Sequence, residues 1–105
     1  MKKTTKELTA ELITQVQKMK VKDAAAIFGT TTNELIIQDL HRAVGEFADA
    51  LHKNADYTQL MQKYESVVGQ IDTAGITGLI SESELPVYYT LVDNIWEALE
   101  QEKKA

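Results

Sequence analysis

Thr31-Thr32-Asn33-Glu34-Leu35-Ile36-Ile37-Gln38-Asp39-Leu40-His41-Arg42-Ala43-Val44-Gly45-Glu46-Phe47-Ala48-Asp49-Ala50-Leu51 is the stretch that decides the fold. Ile36, Leu40, Val44, Phe47 and Leu51 recur at steps of three or four, the spacing that gathers side chains on one face of an α-helix. Thr31 and Glu34 form a capping-box pattern, in which each side chain can satisfy a backbone donor at the helix start. A helix over about 32–54 is predicted.

The same two signals recur on either side of this run. Upstream, Thr4 with Glu7 repeats the capping pattern, and Leu8, Leu12, Ile13, Val16 and Met19 follow as an apolar stripe with Lys6, Glu11, Gln15 and Lys18 outside it. This first helix spans about 5–28 if the alanine-rich residues 21–28 continue it; they can equally form a short separate helix, and Gly29 is a natural terminator. Downstream, Asp56 with Gln59 opens a third helix over about 57–74, buried through Leu60, Tyr64, Val67, Val68 and Ile71 and stopping at Gly75. Gly75 to Gly78 reads as a loop. The last helix is expected over about 83–102, because Pro86 is harmless only in the first turn. Leu85, Tyr88, Val92, Ile95 and Leu99 mark its inner face, while Asp93, Asn94, Glu97 and Glu100 point outward.

No segment alternates apolar and polar residues as a strand would, so the fold class is all-α. The very short connection between the second and third helices favours antiparallel neighbours, and an up-and-down four-helix bundle follows. With 44% apolar and 26% charged residues, 105 residues suffice for one core.

Composition narrows the function. The chain has no cysteine, which removes disulfides, thiolate metal sites and a cysteine nucleophile, and suits a reducing compartment such as the cytoplasm. The basic start Met1-Lys2-Lys3 is followed by Glu7, Glu11 and Gln15 instead of an apolar run, so no export signal is expected. Net charge is −5 and uneven: residues 1–55 carry 8 basic and 7 acidic groups, residues 56–105 carry 3 basic and 9 acidic. That balance opposes nucleic-acid binding, where a concentrated basic surface neutralises phosphates.

No residue pattern names a reaction. His41 and His52 stand three helical turns apart, about 16 Å along the axis, too far to share a metal. There is no phosphate-binding glycine loop and no nucleophile elbow, so neither an enzyme nor a cofactor is expected. A helix-turn-helix over residues 21–40 is an alternative. There Ala25 and Gly29 have suitable spacing, but Thr30 and Gln38 stand where apolar residues are wanted, and Glu34 and Asp39 precede Arg42. On the last helix Tyr88, Tyr89, Leu91, Ile95 and Trp96 extend the apolar surface beyond one stripe. Core packing explains most of them; Tyr89 and Trp96, seven apart and off the main stripe, are the pair expected to face a partner.

With helices in this order, the chain resembles the enterocin A immunity family, the immunity proteins of the pediocin-like bacteriocins of lactic acid bacteria. The residues that carry the resemblance are Met1-Lys2-Lys3, Asp56-Tyr57, the passage Gly78-Leu79-Ile80-Ser81-Glu82-Ser83-Glu84 and the helix Tyr88-Tyr89-Thr90-Leu91-Val92-Asp93-Asn94-Ile95. The likeness in size and helix order spans the chain, and the residue-level match lies mainly in residues 56–99. The resemblance implies a cytoplasmic antiparallel four-helix bundle. Such a protein protects the producing cell by binding the mannose phosphotransferase permease, the membrane receptor, once the bacteriocin has engaged it. Membrane association would be peripheral or transient, with no nucleic acid involved and homodimerisation through the last helix left open. The family's C-terminal half selects the bacteriocin, which points here to Thr77, Tyr88, Tyr89, Leu91 and Trp96. A phage or mobile-element assembly adaptor is a further alternative.

Overall fold

The computed structural model describes residues 3–18 and 32–104, and residues 21–28 lie outside that range. Four helices run in order: α1, Thr5–Gln17; α2, Thr32–His52; α3, Tyr57–Ile76; and α4, Leu85–Lys104. There is no strand among the described residues. Each helix packs on its neighbours in the cycle α1–α2–α3–α4–α1, with α2 against α3 the most extensive contact and α3 against α4 the least. The chain is an all-α, antiparallel up-and-down four-helix bundle.

Capping sets the helix ends. Thr4 and Glu7 form the full capping box, with the Glu7 amide donating to Thr4 Oγ1 at 3.2 Å and the Thr4 amide donating to Glu7 Oε1 at 3.2 Å. Asp56 caps α3 by accepting from the Gln59 amide at 2.9 Å. α2 ends in a Schellman motif: Asn54 takes a left-handed φ of 56°, its amide donates to Leu51 O, and the Ala55 amide reaches back to Ala50 O.

α3 continues through Gly75 to Ile76, two residues past the predicted end at 74. The reason is packing: a Cβ on Gly75 would lie 3.1 Å from both methyls of Leu85, so this glycine lets the start of α4 approach closely. Termination falls to Gly78 at φ 80°, whose amide donates to Gly75 O. A turn at 82–84, tied by the Glu84 and Leu85 amides to Ser81 O, then leads into α4 at Leu85, with Pro86 in the first turn.

The core takes one nearly inaccessible aliphatic side chain from each helix: Leu12, Leu40, Ile71 and Ile95. Each such side chain stabilises the fold by about 1.5–3 kcal/mol relative to exposure. Around them lie Leu8, Val16, Val44, Phe47, Leu51, Val67, Tyr88, Val92 and Leu99, together with Ile80 from the α3–α4 connection. At the start of α2 Ile36 is half-buried and packs against this core, while Ile37 is buried outside that cluster.

The chain ends are clasped at one pole. Thr5, itself buried, donates its amide and its hydroxyl to the Glu102 carboxylate at 3.1 and 2.6 Å, joining the start of α1 to the end of α4. The carboxylate also sits at the positive end of α1. Glu102→Ala leaves the Thr5 hydroxyl unmatched; because Glu102 is itself exposed, a loss of only about 1–2 kcal/mol is expected. Urea denaturation followed by circular dichroism measures it, and an unshifted midpoint would show that the clasp carries no stability.

Candidate partner-binding seam

The α3–α4 interface is unlike the other three. Here the two backbones approach each other least, and long aromatic side chains bridge the space. On α3 the residues Tyr57, Met61, Tyr64, Val68 and Asp72 follow one another at steps of three or four, so they form one stripe. Tyr89, Asp93, Trp96 and Glu100 do the same on α4.

Three cross-links run along this seam in antiparallel register. At one end the Tyr57 hydroxyl donates to the Glu100 carboxylate. In the middle the Tyr64 hydroxyl donates to Val92 O at 2.8 Å, and the Tyr64 ring lies against Trp96 with centroids 5.5 Å apart and planes tilted by 45°. The other face of this group meets the core, where Phe47 packs edge-on to Tyr64 at 6.2 Å. At the far end the Tyr89 hydroxyl donates to Asp72.

These contacts hold the tyrosines protonated. Burial, then the nearby Asp93 charge, pushes the Tyr64 phenol up to about 12. The hydrogen bond to Glu100 raises Tyr57, and that to Asp72 raises Tyr89. Tyr88 is raised chiefly by burial.

The residues expected from sequence separate into two groups. Tyr89 and Trp96 meet at the seam, with Trp96 37% exposed and Tyr89 half-buried. Tyr88 belongs to the core: it is 3% exposed and its hydroxyl donates to Gln15 O of α1, so it has no surface to offer a partner. Leu91 packs against the core and, five residues from Trp96, is turned about 140° away around α4. Thr77 is exposed but caps α3 at the pole, where its hydroxyl donates to Thr73 O and Ala74 O. Tyr57, Tyr64, Asp72, Asp93 and Glu100 were not among the partner-facing residues expected from sequence, which put Tyr64 on the buried face of α3 and Asp93 and Glu100 on the outer face of α4. The signals were available in the three- and four-residue steps of α3 and in the acidic excess of residues 56–105.

Outside the seam the exposed large apolar side chains among the described residues are Leu35, Ile76 and Val87. Arg42, which the helix-turn-helix alternative needs, pairs with Asp39 at 3.1 Å and lies 3.8 Å from Glu46, while residues 21–31 of that motif fall outside the described residues. His41 and His52 are exposed, and among the described residues no group of three or more His, Asp or Glu side chains is placed to hold a metal ion. A groove of about 470 Å³ opens at the clasped pole over Leu51, Leu60 and Leu99, but the Thr5 hydroxyl and the Glu102 carboxylate on its rim already satisfy each other. Among the described residues no helix is long and apolar enough to cross a membrane.

A phenol raised from 10.0 to about 12 favours the fold while protonated. Its contribution is complete below pH 10 and disappears as the pH climbs through about 12. Thermal melts at stepped alkaline pH are therefore expected to fall over this window, and Tyr64→Phe is expected to flatten the fall while costing about 0.5–1.5 kcal/mol at neutral pH through the lost bond to Val92 O. An identical alkaline slope in the variant would contradict the assignment. Comparison with protein-family models, curated proteins and solved structures yields no match for this chain.

Proposed function

We propose that this protein is a bacteriocin immunity protein of the pediocin-like kind: a non-catalytic bundle that protects the producing cell by docking on the membrane receptor, a sugar phosphotransferase permease, after the secreted peptide has engaged it. It acts from the cytoplasmic side, and its membrane attachment is peripheral and passes through the receptor. No cofactor enters this reading.

The observation that carries the reading is Trp96, the only tryptophan of the chain, left 37% exposed on a helix that is otherwise well anchored in the core. Large aromatic side chains held rigidly at a surface are what protein interfaces use as anchors. Support also comes from the resemblance, whose residue-level match lies mainly in residues 56–99, at Asp56-Tyr57, 78–84 and 88–95.

The mechanism needs only differential affinity. A bundle that binds the peptide-engaged, closed form of the receptor more tightly than the open form shifts the population toward the closed form. Moving such an equilibrium from mostly open to mostly closed takes on the order of 5 kcal/mol of preference, within reach of a few buried aromatic contacts.

Expression of the chain in a sensitive strain is expected to raise tolerance to at least one member of a panel of pediocin-like peptides. Trp96→Ala is expected to remove most of that tolerance while leaving the helical circular-dichroism spectrum intact. Unchanged killing across the whole panel by the native chain would overturn the proposal.

A further inference from the structure

We infer that the α3–α4 seam is shaped and charged to receive a cationic amphipathic helix, Lys- or Arg-bearing on its flanks and apolar along its centre. This rests on the binding role proposed above and adds the chemistry of the partner segment.

The shape comes first. Met61, Tyr64, Val68, Tyr89 and Trp96 form an apolar, partly exposed strip along the two helices where their backbones approach each other least. The strip runs from Met61 to the level of Asp72, where Tyr89 lies, about 16 Å at the rise of an α-helix, which matches roughly three turns of a partner helix. A helix laid in such a groove uses residues three and four apart as anchors.

The charge selects which helix. Glu65 and Asp72 stand seven apart on α3, and Asp93 and Glu100 stand seven apart on α4, so a pair of carboxylates flanks each side of the strip. Among the side chains of residues 3–18 and 34–102 no Lys or Arg pairs with them. The α3 lysine, Lys63, reaches instead toward α2, where it pairs with Glu46 at 3.2 Å. The seam carboxylates that have partners are bonded by tyrosine hydroxyls, which supply a proton donor but no positive charge. The field of the seam is therefore left negative. A Lys or Arg on the partner gains from these carboxylates, and one placed over Trp96 gains also from the face of the indole. An acidic helix of equal apolar content is repelled. A second copy of this chain is a poor occupant for the same reason, since it would bring its own carboxylates to the contact.

Trp96 reports on the seam directly. The native protein is titrated at low salt with a synthetic Leu/Lys amphipathic helix of about 15 residues, and in parallel with its Leu/Glu counterpart. A saturable blue shift of the tryptophan emission with the first and none with the second is expected. By calorimetry, Asp93→Asn is expected to weaken Leu/Lys binding about twofold to fivefold and Trp96→Ala roughly tenfold or more. Asp49→Asn, which removes the same charge from the far side of α2, is expected to leave affinity within about twofold because exposed charges there act at a distance and are screened. Equal weakening by Asp93→Asn and Asp49→Asn, equal binding of the Leu/Glu peptide, or an unmoved emission maximum would each overturn the assignment. The titration uses no receptor and no cells. Failure here with protection intact thus removes the seam assignment alone, and a clean titration without protection removes the immunity reading alone.

Discussion

Leu12, Leu40, Ile71 and Ile95 are withdrawn from water because the four helices pack around one shared core. Helices of 13 to 21 residues are marginal by themselves in water, so this shared burial is what makes them persist. Everything else in the bundle adjusts to it. Thr5 and Thr9 are accepted in the interior because the first gives its hydroxyl to Glu102 and the second to Thr5 O, and among the described residues no buried side-chain polar atom is left unmatched. The separation of α3 and α4 follows from the size of what lies between them. Helix spacing depends on the side chains at the contact, and three tyrosines and a tryptophan lie between these two backbones, which approach less closely than the other neighbouring pairs.

Much of the bundle was legible in the sequence because its evidence is local. The apolar steps of α2 and the caps at Thr4 and Asp56 involve residues within one or two turns of each other, and the structure realises them with those partners. The two glycines of the α3–α4 connection were not separable that way. Gly75 is needed for what Leu85 does to it across the connection, Gly78 for a positive φ, and a one-letter sequence carries neither distinction. Ile80 is similar: it fills the core from a loop that periodicity does not describe. Ile36 and Ile37 are adjacent, about 100° apart around the helix, so either could lead the buried stripe until the packing of α2 is known.

The seam was half legible. Tyr88 and Tyr89 differ by one position, yet Tyr88 stands four before Val92 and seven before Ile95, on the core stripe, whereas Tyr89 shares its side of α4 with Trp96. That distinction follows from helical geometry alone. Pairing Tyr57 with Glu100, Tyr64 with Trp96 and Tyr89 with Asp72 required knowing that α3 and α4 are neighbours and in which register, which is a property of the assembled bundle.

The two halves of the molecule handle their acidic side chains by different chemistry. On α1 and α2, Glu11 meets Lys3, Asp39 meets Arg42, Asp49 meets Lys53, and Glu46 meets Lys63 from α3; each contact cancels charge. Across the seam, Asp72 and Glu100 are instead held by phenols. A lysine in place of Tyr57 or Tyr89 would have bonded the same carboxylate and neutralised it, at lower repulsive cost to the fold. A phenol orders the carboxylate and leaves its charge standing beside an exposed indole. Stability alone gives no reason to keep like charges together around an apolar strip. Recognition of the cationic helix proposed above would, because the field that costs the isolated bundle is the one that would attract such a segment.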